Sequence, residues 1–347
     1  MTPAVTSRRR ASGTGCSPRS SRTSGLSTPN VRAAGRSPAS RPRFAGSTRR
    51  SPRSSAGSSP ARHPATKDGD GCRWDSTPHD PQTRVRFQGV GHVKVKQHRP
   101  VVGKVKTVSV KREGKRWYVV LTAEQDRPEP LPKTGSVVGI DLGIANFLAD
   151  SNGGFVPNPR HGRTAAAKHE AAQQALSRCK RRSKRRREAV ERVATLHRKV
   201  RCQRLDHAHK IALDLVREHD FIAHEDLKIR NMSKAPTPKP GPETAGAFLP
   251  NGAAAKAGLN RSIMDAGWGV FLTILHAKAE SAGREVIAVD PRNTSRTCPE
   301  CGHVAKENRP TQEKFHCVSC GHRAHADVVG ASNVLRAGLA RRQAQPA

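Results

Sequence analysis

Four of the eight cysteines form two Cys-x-x-Cys pairs that are separated by fifteen residues. This is the spacing of a zinc ribbon, in which four thiolates surround one Zn²⁺ tetrahedrally. Each pair must bend tightly, and the glycine after each pair, Gly302 or Gly321, permits that turn. Disulfides, free thiols, or ligation by His303 or His322 are the alternatives. Because four sulfur ligands leave no open position, we expect a structural metal. The predicted ligands are Cys298, Cys301, Cys317 and Cys320.

Three acidic residues fall where secondary structure is expected to end or begin. Asp141 follows an apolar run, Glu225 ends the strand-like segment FIAHE, and Asp327 stands at the expected start of the last helix. Taken singly, they are explained by a turn, a surface position and a helix N-cap. Taken together, three carboxylates can converge on a pair of Mg²⁺ or Mn²⁺ ions, which prefer oxygen ligands and promote phosphodiester hydrolysis.

The charge balance points to a polyanionic partner. The chain of 347 residues has 63 Lys and Arg against 28 Asp and Glu, a formal net charge of +35, and nucleic acid is the usual partner of such a protein. A solvated basic surface without a ligand is the alternative. The densest run, at 178–187, has eight positive charges in ten residues. The predicted phosphate-binding residues are Arg178, Lys180, Arg181, Arg182, Lys184, Arg185, Arg186 and Arg187.

The first 82 residues differ in composition from the rest. Residues 1–66 contain thirteen Arg and no Lys, Asp or Glu, among Ser, Pro, Gly and Ala, so we expect segment 1–82 to be disordered. It is either an Arg-rich arm that binds nucleic acid or the product of out-of-frame translation of GC-rich DNA. No signal peptide opens the chain and no apolar run reaches the ~18 residues of a membrane span. We therefore expect a cytoplasmic protein with no membrane partner.

The remaining chain alternates between strand and helix patterns. Alternating residues in 83–130 predict an antiparallel β unit. The pattern then predicts two strands that meet at the hairpin SNGG, one long basic helix from Thr164 to Val216, and the strand that ends at Glu225. A Pro- and Gly-rich segment, 231–260, predicts a mobile loop. One helix and a strand up to residue 297, the cysteine module 298–322 and a final helix within 323–347 complete the chain.

The motifs VVGIDLGIANFLA, FIAHEDLKIRNM and HCVSCGHRAHADVVGASNVL, in this order, resemble the TnpB (OrfB) family of insertion-sequence proteins. The resemblance covers roughly residues 84–338. It implies an α/β fold with an RNase H-like, RuvC-like nuclease core, in two parts at 131–230 and 261–297, into which the zinc ribbon is inserted. It also implies a transposase-associated endonuclease that cleaves DNA with two Mg²⁺ or Mn²⁺ ions, is guided by RNA and uses no small-molecule substrate. Asp141, Glu225 and Asp327 match the positions of the catalytic triad.

Two departures from the family pattern affect this interpretation. The last family motif usually reads Asp-x-Asn-Ala-Ala, whereas this chain has Asp-Val-Val-Gly-Ala from Asp327. Nothing in residues 1–82 resembles the family's N-terminal β segment and helical recognition domain, so we expect a chain truncated or frameshifted at its start that binds nucleic acid without guided cleavage. The rival interpretations are a catalytically silent nucleic-acid-binding remnant and a structural zinc-ribbon protein of a ribonucleoprotein particle.

Overall fold

The structure is a computed structural model that describes residues 61–64, 71–74, 76, 83–98, 100–114, 116–126, 128–241 and 248–344. Most of the segment predicted to be disordered, 1–82, lies outside these residues. Within it, Ala61–Pro64 and Arg73–Trp74 are strands, so the prediction of disorder is wrong at these positions. Both pair with strands later in the chain, and such long-range partners do not show in local composition.

Two three-stranded antiparallel sheets form the β unit, as the alternating pattern predicts. The orders are β2-β3-β4 and β1-β5-β6, and a small core that includes Cys72, Val85 and Val108 is buried in the unit. The strands are β1 (Ala61–Pro64), β2 (Arg73–Trp74), β3 (Arg84–Phe87), β4 (Gly91–Lys94), β5 (Lys104–Glu113) and β6 (Arg116–Glu124).

A mixed five-stranded sheet with helices packed against it forms the centre of the molecule, which confirms the α/β class. Its order is β13-β10-β7-β8-β9; β7, β10 and β13 are parallel, and β8 and β9 are antiparallel to their neighbours. In chain order the elements are β7 (Val137–Asp141), β8 (Asn146–Asp150), β9 (Phe155–Pro157), α1 (His161–Ser177), α2 (Lys184–Glu218), β10 (Phe221–Glu225), α3 (Ile229–Met232), β11 (Lys239–Pro240), β12 (Phe248–Leu249), α4 (Ala253–Ala266), α5 (Trp268–Ala282) and β13 (Glu285–Val289).

The predicted single helix from Thr164 to Val216 is two helices. α1 ends before the densest part of the basic run, and Arg182 in the connection has a left-handed φ of 63°. Ser183 then caps α2 by accepting a hydrogen bond from the backbone N–H of Arg186 at 3.1 Å. A serine cap and the mutual repulsion of adjacent cations both favour a break here over a continuous helix.

Three other boundaries differ from the sequence predictions. The stretch predicted as two strands around SNGG contains three, β7 to β9, although the hairpin itself is present between β8 and β9. The segment predicted as a loop to residue 260 is helical from Ala253. The helix that follows is interrupted at Gly267, whose φ of 73° ends α4 and leads into α5.

Helices cover both faces of the central sheet. Residues of α2 and α5, such as Val216 and Phe271, share one buried cluster with Ile140 of β7. On the other face lies α6 (Ala326–Ala344), which follows a hairpin of β14 (Lys314–His316) and β15 (Arg323–His325). Gly139 allows this close approach, because a Cβ there would lie 2.1 Å from the carbonyl oxygen of Ala331. None of the helices among the described residues is long and apolar enough to cross a membrane.

Candidate active site and cysteine cluster

Two of the three acids lie at the same edge of the central sheet. Asp141 is the last residue of β7 and Glu225 is the last residue of the adjacent parallel strand β10. The register pairs His224 with Ile140, so these two acids follow in neighbouring positions. Carboxyl ends of parallel strands meet at one edge, where α/β proteins commonly bind ligands.

The third acid reaches this edge through α6. Asp327 is the second residue of that helix, one turn before Gly330. A Cβ at Gly330 would lie 3.1 Å from Oδ2 of Asp141, so the start of α6 lies directly beside the end of β7. The glycine that departs from the family motif therefore leaves room for the Asp141 carboxylate. Since α6 begins at Ala326, Asp327 lies in the first turn and not at the N-cap position, which was the alternative explanation for this residue.

The negative charges of Glu225 and Asp327 disfavour ionisation of Asp141. Burial, and then the nearby Glu225 and Asp327, raise the pKa of Asp141 to about 7. Burial also raises the pKa of Glu225, against the opposing effects of Thr294 and Arg309. Buried carboxylates that disfavour each other's charge are stabilised by cations. The donor set of three carboxylates thus fits divalent hard cations such as Mg²⁺ or Mn²⁺.

The carboxylates are not as close together as the ligands of a single-ion site. Within the described part of the chain, the four cysteines are the group of metal-ligating side chains whose ligand atoms all lie within 4.8 Å of one another. The three acids do not form such a group. A wider spacing is compatible with a pair of ions, which lie about 4 Å apart in two-metal sites.

Arg309 is a residue of this site that the sequence analysis missed. It belongs to the loop between the two cysteine pairs, and its guanidinium donates to Oδ1 of Asp327 at 3.0 Å. Its positive charge also lowers the pKa values of Asp141 and Glu225. No local pattern marks this arginine in a chain with so many cations. Asn308, the residue before Arg309, is held in place because its buried side chain donates to the carbonyls of Arg296 and His303.

Thr294 and Asn333 orient Glu225 and were also missed. The Thr294 hydroxyl donates to Oε1 of Glu225 at 2.6 Å. Asn333 of α6 is buried and donates to the carbonyl oxygens of Thr294 and Thr297, both at 2.7 Å. These contacts tie the segment after β13 to α6. A polar residue in the middle of an apolar helix face was the available signal for Asn333.

The four cysteines form a cluster that can hold one metal ion. The Sγ atoms of Cys298 and Cys320, and those of Cys301 and Cys317, lie 3.6 Å apart. Ligands at about 2.3 Å from a tetrahedral zinc would lie about 3.8 Å apart, whereas a disulfide bond is only about 2.05 Å long. The geometry therefore fits a tetrahedral metal and not the disulfide alternative.

Both cysteine turns have the same backbone structure. Gly302 and Gly321 have φ values of 75° and 76°, as the predicted tight turns require. Backbone N–H groups, first that of Cys320 and then that of Ser319, lower the pKa of Cys317 to about 6. His303 and His322 lie outside the group of ligand atoms. The cluster therefore consists of four sulfur atoms without a histidine.

The basic run lies at the connection between α1 and α2. Seven of its eight cations are exposed; Arg186 is partly buried and donates to the carbonyl of Leu176 at 3.2 Å. The run is far from the three acids in sequence and lies on different elements. The structure therefore presents these cations to solvent, as either a phosphate-binding surface or a solvated face requires.

Two parts of this chain match models of known protein families. Residues 119–235 match the family model OrfB_IS605, described as a probable transposase, and residues 268–334 match the Cas12f1-like TNB domain. The resemblance to the TnpB (OrfB) family is confirmed. Curated TnpB-like relatives include a putative RNA-guided DNA endonuclease, InsQ, of Escherichia coli K12, 35% identical over 260 residues, which are 74% of this chain and 63% of the relative.

A second relative, a putative RNA-guided DNA endonuclease of Streptomyces pristinaespiralis, is 35% identical over 235 residues, which are 67% of this chain and 52% of the relative. The chain thus spans between half and two thirds of the lengths of these two TnpB-like relatives. Among solved structures, a Cas12f1–sgRNA–target DNA complex matches with a TM-score of 0.40 and 17% identity, over 71% of this chain and 60% of the solved chain.

Proposed function

We propose that this protein is a transposase-associated DNA endonuclease of the TnpB type, which hydrolyses DNA phosphodiester bonds with divalent metal ions and acts with a guide RNA in the bacterial cytoplasm. The observation that carries the proposal is the convergence of Asp141, Glu225 and Asp327 at one edge of the central sheet. The two family models and the names of the relatives support it.

The proposed core is RNase H-like. In support, β7 to β9 form an antiparallel meander, and β10 and β13 extend the sheet in parallel from β7. We assign β1 to β6, which lie within 61–130, to a separate β unit, and 131–230 and 253–297 to the two parts of the core. We assign 231–252 to the connection between these parts, 298–322 to the ribbon, and 323–347 to the final helix and tail.

Each acid has a defined role in this proposal. Asp141 and Glu225, fixed at adjacent strand ends, and Asp327, fixed by α6, would hold the ions. Ions held by these three carboxylates would supply a Lewis acid for a nucleophilic water and positive charge for the leaving 3′ oxygen. Thr294 holds the orientation of Glu225 through its hydroxyl. Arg309 supplies a positive charge beside Asp327, where the phosphate of a DNA strand would add further negative charge.

We assign a structural Zn²⁺ to Cys298, Cys301, Cys317 and Cys320. The Sγ separations of 3.6 Å support the assignment. A closed four-sulfur site performs no hydrolysis. Its proposed contribution is to fold the loop that carries Arg309 and to bring it to Asp327.

The test is cleavage by the purified chain on single-stranded and supercoiled DNA, with and without Mg²⁺ or Mn²⁺. We expect metal-dependent nicking that is lost in the Asp141→Asn, Glu225→Gln and Asp327→Asn variants, which preserve side-chain size and remove a metal-binding charge. Asp226→Asn is the matched control, because this acid follows Glu225 directly but is exposed and paired with Lys228 at 2.5 Å. It should retain full activity.

Two results would reject the nuclease proposal. One is nicking that persists in all three variants, which would indicate a contaminant. The other is metal-independent binding of DNA and RNA with no cleavage under any condition, which would favour the silent remnant. The exposed cations of the 178–187 run are the observation that supports this second candidate, a nucleic-acid-binding remnant without catalytic activity.

A further inference from the structure

Two histidine pairs join the antiparallel helices α1 and α2. The rings of His161 and His207 have centroids 6.1 Å apart, and those of His169 and His197 lie 4.3 Å apart. The first pair lies near the start of α1, and the second lies closer to the connection that carries the basic run. We call these four residues the histidine pairs. Each pair contains one residue from each helix.

The pairs have few contacts that would compensate a positive charge, although a backbone hydrogen bond with Leu196 favours the charged form of His169. Nε2 of His161 and Nδ1 of His169 are buried and have no hydrogen-bond partner among the described residues. Phe147 of β8 covers His207 edge-on at a centroid distance of 4.9 Å. An imidazolium needs an acceptor for each of its two N–H groups, and an apolar wall supplies none.

Some charged groups near the histidine pairs favour a positive charge on the rings, and others disfavour it. Arg204 of α2 disfavours the charged form of His169, and this arginine is itself bonded to Asp265 of α4 at 2.6 Å. Asp206 favours a charge on His207 and Lys210 disfavours it, while these two residues pair with each other at 2.8 Å. Within each pair, a charge on one ring disfavours a charge on the other.

We infer that the hairpin of α1 and α2 is a pH-sensitive element, in which protonation of His169 and His207, each packed against a histidine of the facing helix, separates the helices. Asp265 accepts hydrogen bonds from the backbone N–H groups of Gly162 and Arg163, so the start of α1 stays attached to α4 while the pairs change charge. Separation therefore begins at His169 and His197 and displaces the connection with its basic run.

The packing of the histidines determines how the stability of the α1–α2 hairpin changes with pH. Burial, and then the neighbouring histidine, lower the pKa values of His169 and His207. A histidine whose pKa is lowered in the packed state stabilises that state fully above its free pKa of about 6.5, and the stabilisation is lost as pH falls below that value. The packed hairpin is thus favoured at pH 7.5 and weakened at pH 5.5.

The test is hydrogen–deuterium exchange of the α1 amides in the full chain at pH 7.5 and 5.5, corrected for the intrinsic pH dependence of exchange. We expect opening of α1 to increase roughly fivefold at the lower pH, the effect of one like-charge pair at about 4 Å in water. Amides of β7 and β10 provide the internal reference. Equal protection of α1 at both pH values in the unaltered chain would overturn the inference.

Two variants test whether the histidine pairs, and not other titrating groups, cause the pH response of α1. In His169→Gln/His207→Gln, each pair keeps one histidine and no longer places two like charges together, so α1 protection should become nearly independent of pH. The matched control is His209→Gln, an exposed histidine on the same helix, which should behave as the unaltered chain. A pH response that survives in the double variant, or that disappears in His209→Gln, would assign the effect elsewhere and reject the inference.

Discussion

Arg309 and Asp327 form the ion pair that links the cysteine loop to the three acids. Their side chains are 23% and 13% exposed, so solvent screens the pair only partly. The arginine occupies part of the coordination sphere that Asp327 offers to a cation, and it adds positive charge to the site. It therefore opposes metal binding while it reduces repulsion among the carboxylates.

This balance predicts that Arg309→Gln binds Mn²⁺ more tightly than the unaltered chain, by roughly fivefold, the effect of removing one like charge at about 4 Å in water. Electron paramagnetic resonance of free Mn²⁺ during a titration measures the affinity. Arg309→Lys keeps the charge and should bind as the unaltered chain does. If the Gln variant bound Mn²⁺ no more tightly than the Lys variant, the arginine would not compete with the metal.

Asp265 is the residue that fixes the start of α1. It accepts hydrogen bonds from the backbone of Gly162 and Arg163 at 2.7 and 2.9 Å and from Arg204 at 2.6 Å. Burial opposes its ionisation, but these hydrogen bonds outweigh burial and lower its pKa. A lowered carboxylate pKa means that its stabilisation is present above the unfolded pKa of about 3.9 and is lost as pH falls below it.

Asp265→Asn should therefore lower the free energy of unfolding at pH 7 by about 2 kcal/mol, the scale of hydrogen bonds to a charged group. The difference from the unaltered chain should shrink as pH falls below about 4, because Asp265 becomes protonated first in the unfolded chain and then, at lower pH, in the folded chain. Chemical denaturation at several pH values measures it. Asp206→Asn, an exposed acid on α2, is the control and should change stability little. A constant difference across pH would contradict the assigned role of the charge.

At the scale of elements, the cysteine turns pack directly against the start of α6. The loop between the cysteine pairs carries Arg309, and α6 begins six residues after Cys320, at Ala326. Ala326 and Val329 of α6 share a buried cluster with Cys298 and Cys317. Loss of the proposed Zn²⁺ should therefore disturb both the position of Arg309 and the start of α6.

We expect one Zn²⁺ per chain by elemental analysis, and loss of the metal in a Cys298→Ser/Cys317→Ser variant. The matched control is Cys202→Ser, which removes an exposed cysteine of α2 that lies outside the cluster. The zinc-free variant should also lose metal-dependent nicking if the loop positions Arg309. Full zinc occupancy in the double serine variant would exclude these cysteines as the ligands.

The sequence predicted elements better than it predicted their interruptions. Strands β10 and β13 and the tight cysteine turns follow from local patterns, because apolar runs and glycines act over a few residues. The breaks at Ser183 and Gly267 were missed, since a serine or a glycine inside a helical pattern only weakly opposes a helix. The positions of the acids, at expected strand ends and an expected helix start, indicated that they could converge. Arg309 and Thr294 contact Asp327 and Glu225 through tertiary contacts that no local pattern encodes.

At the scale of the whole molecule, the net charge is +35. The affinity of the proposed binding to nucleic acid should depend on how many phosphates the cations neutralise. Not every cation contributes equally. Lys106 and Lys111 of β5 are paired with Glu124 and Glu113 at 2.6 and 2.9 Å, so their charges are largely compensated. Arg181 and Arg185 of the basic run are exposed at the tip of the α1–α2 hairpin, where a phosphate backbone can reach them.

Two variants with the same net charge therefore separate position from charge. Arg181→Gln/Arg185→Gln should flatten the slope of log affinity against log salt by roughly 0.9 for each duplex phosphate that is no longer neutralised, because fewer counterions are released on binding. Lys106→Gln/Lys111→Gln should leave the slope nearly unchanged. Fluorescence anisotropy with a labelled duplex at several salt concentrations measures both. Equal slopes for the two variants would mean that the basic run is a solvated face and that binding depends on net charge alone.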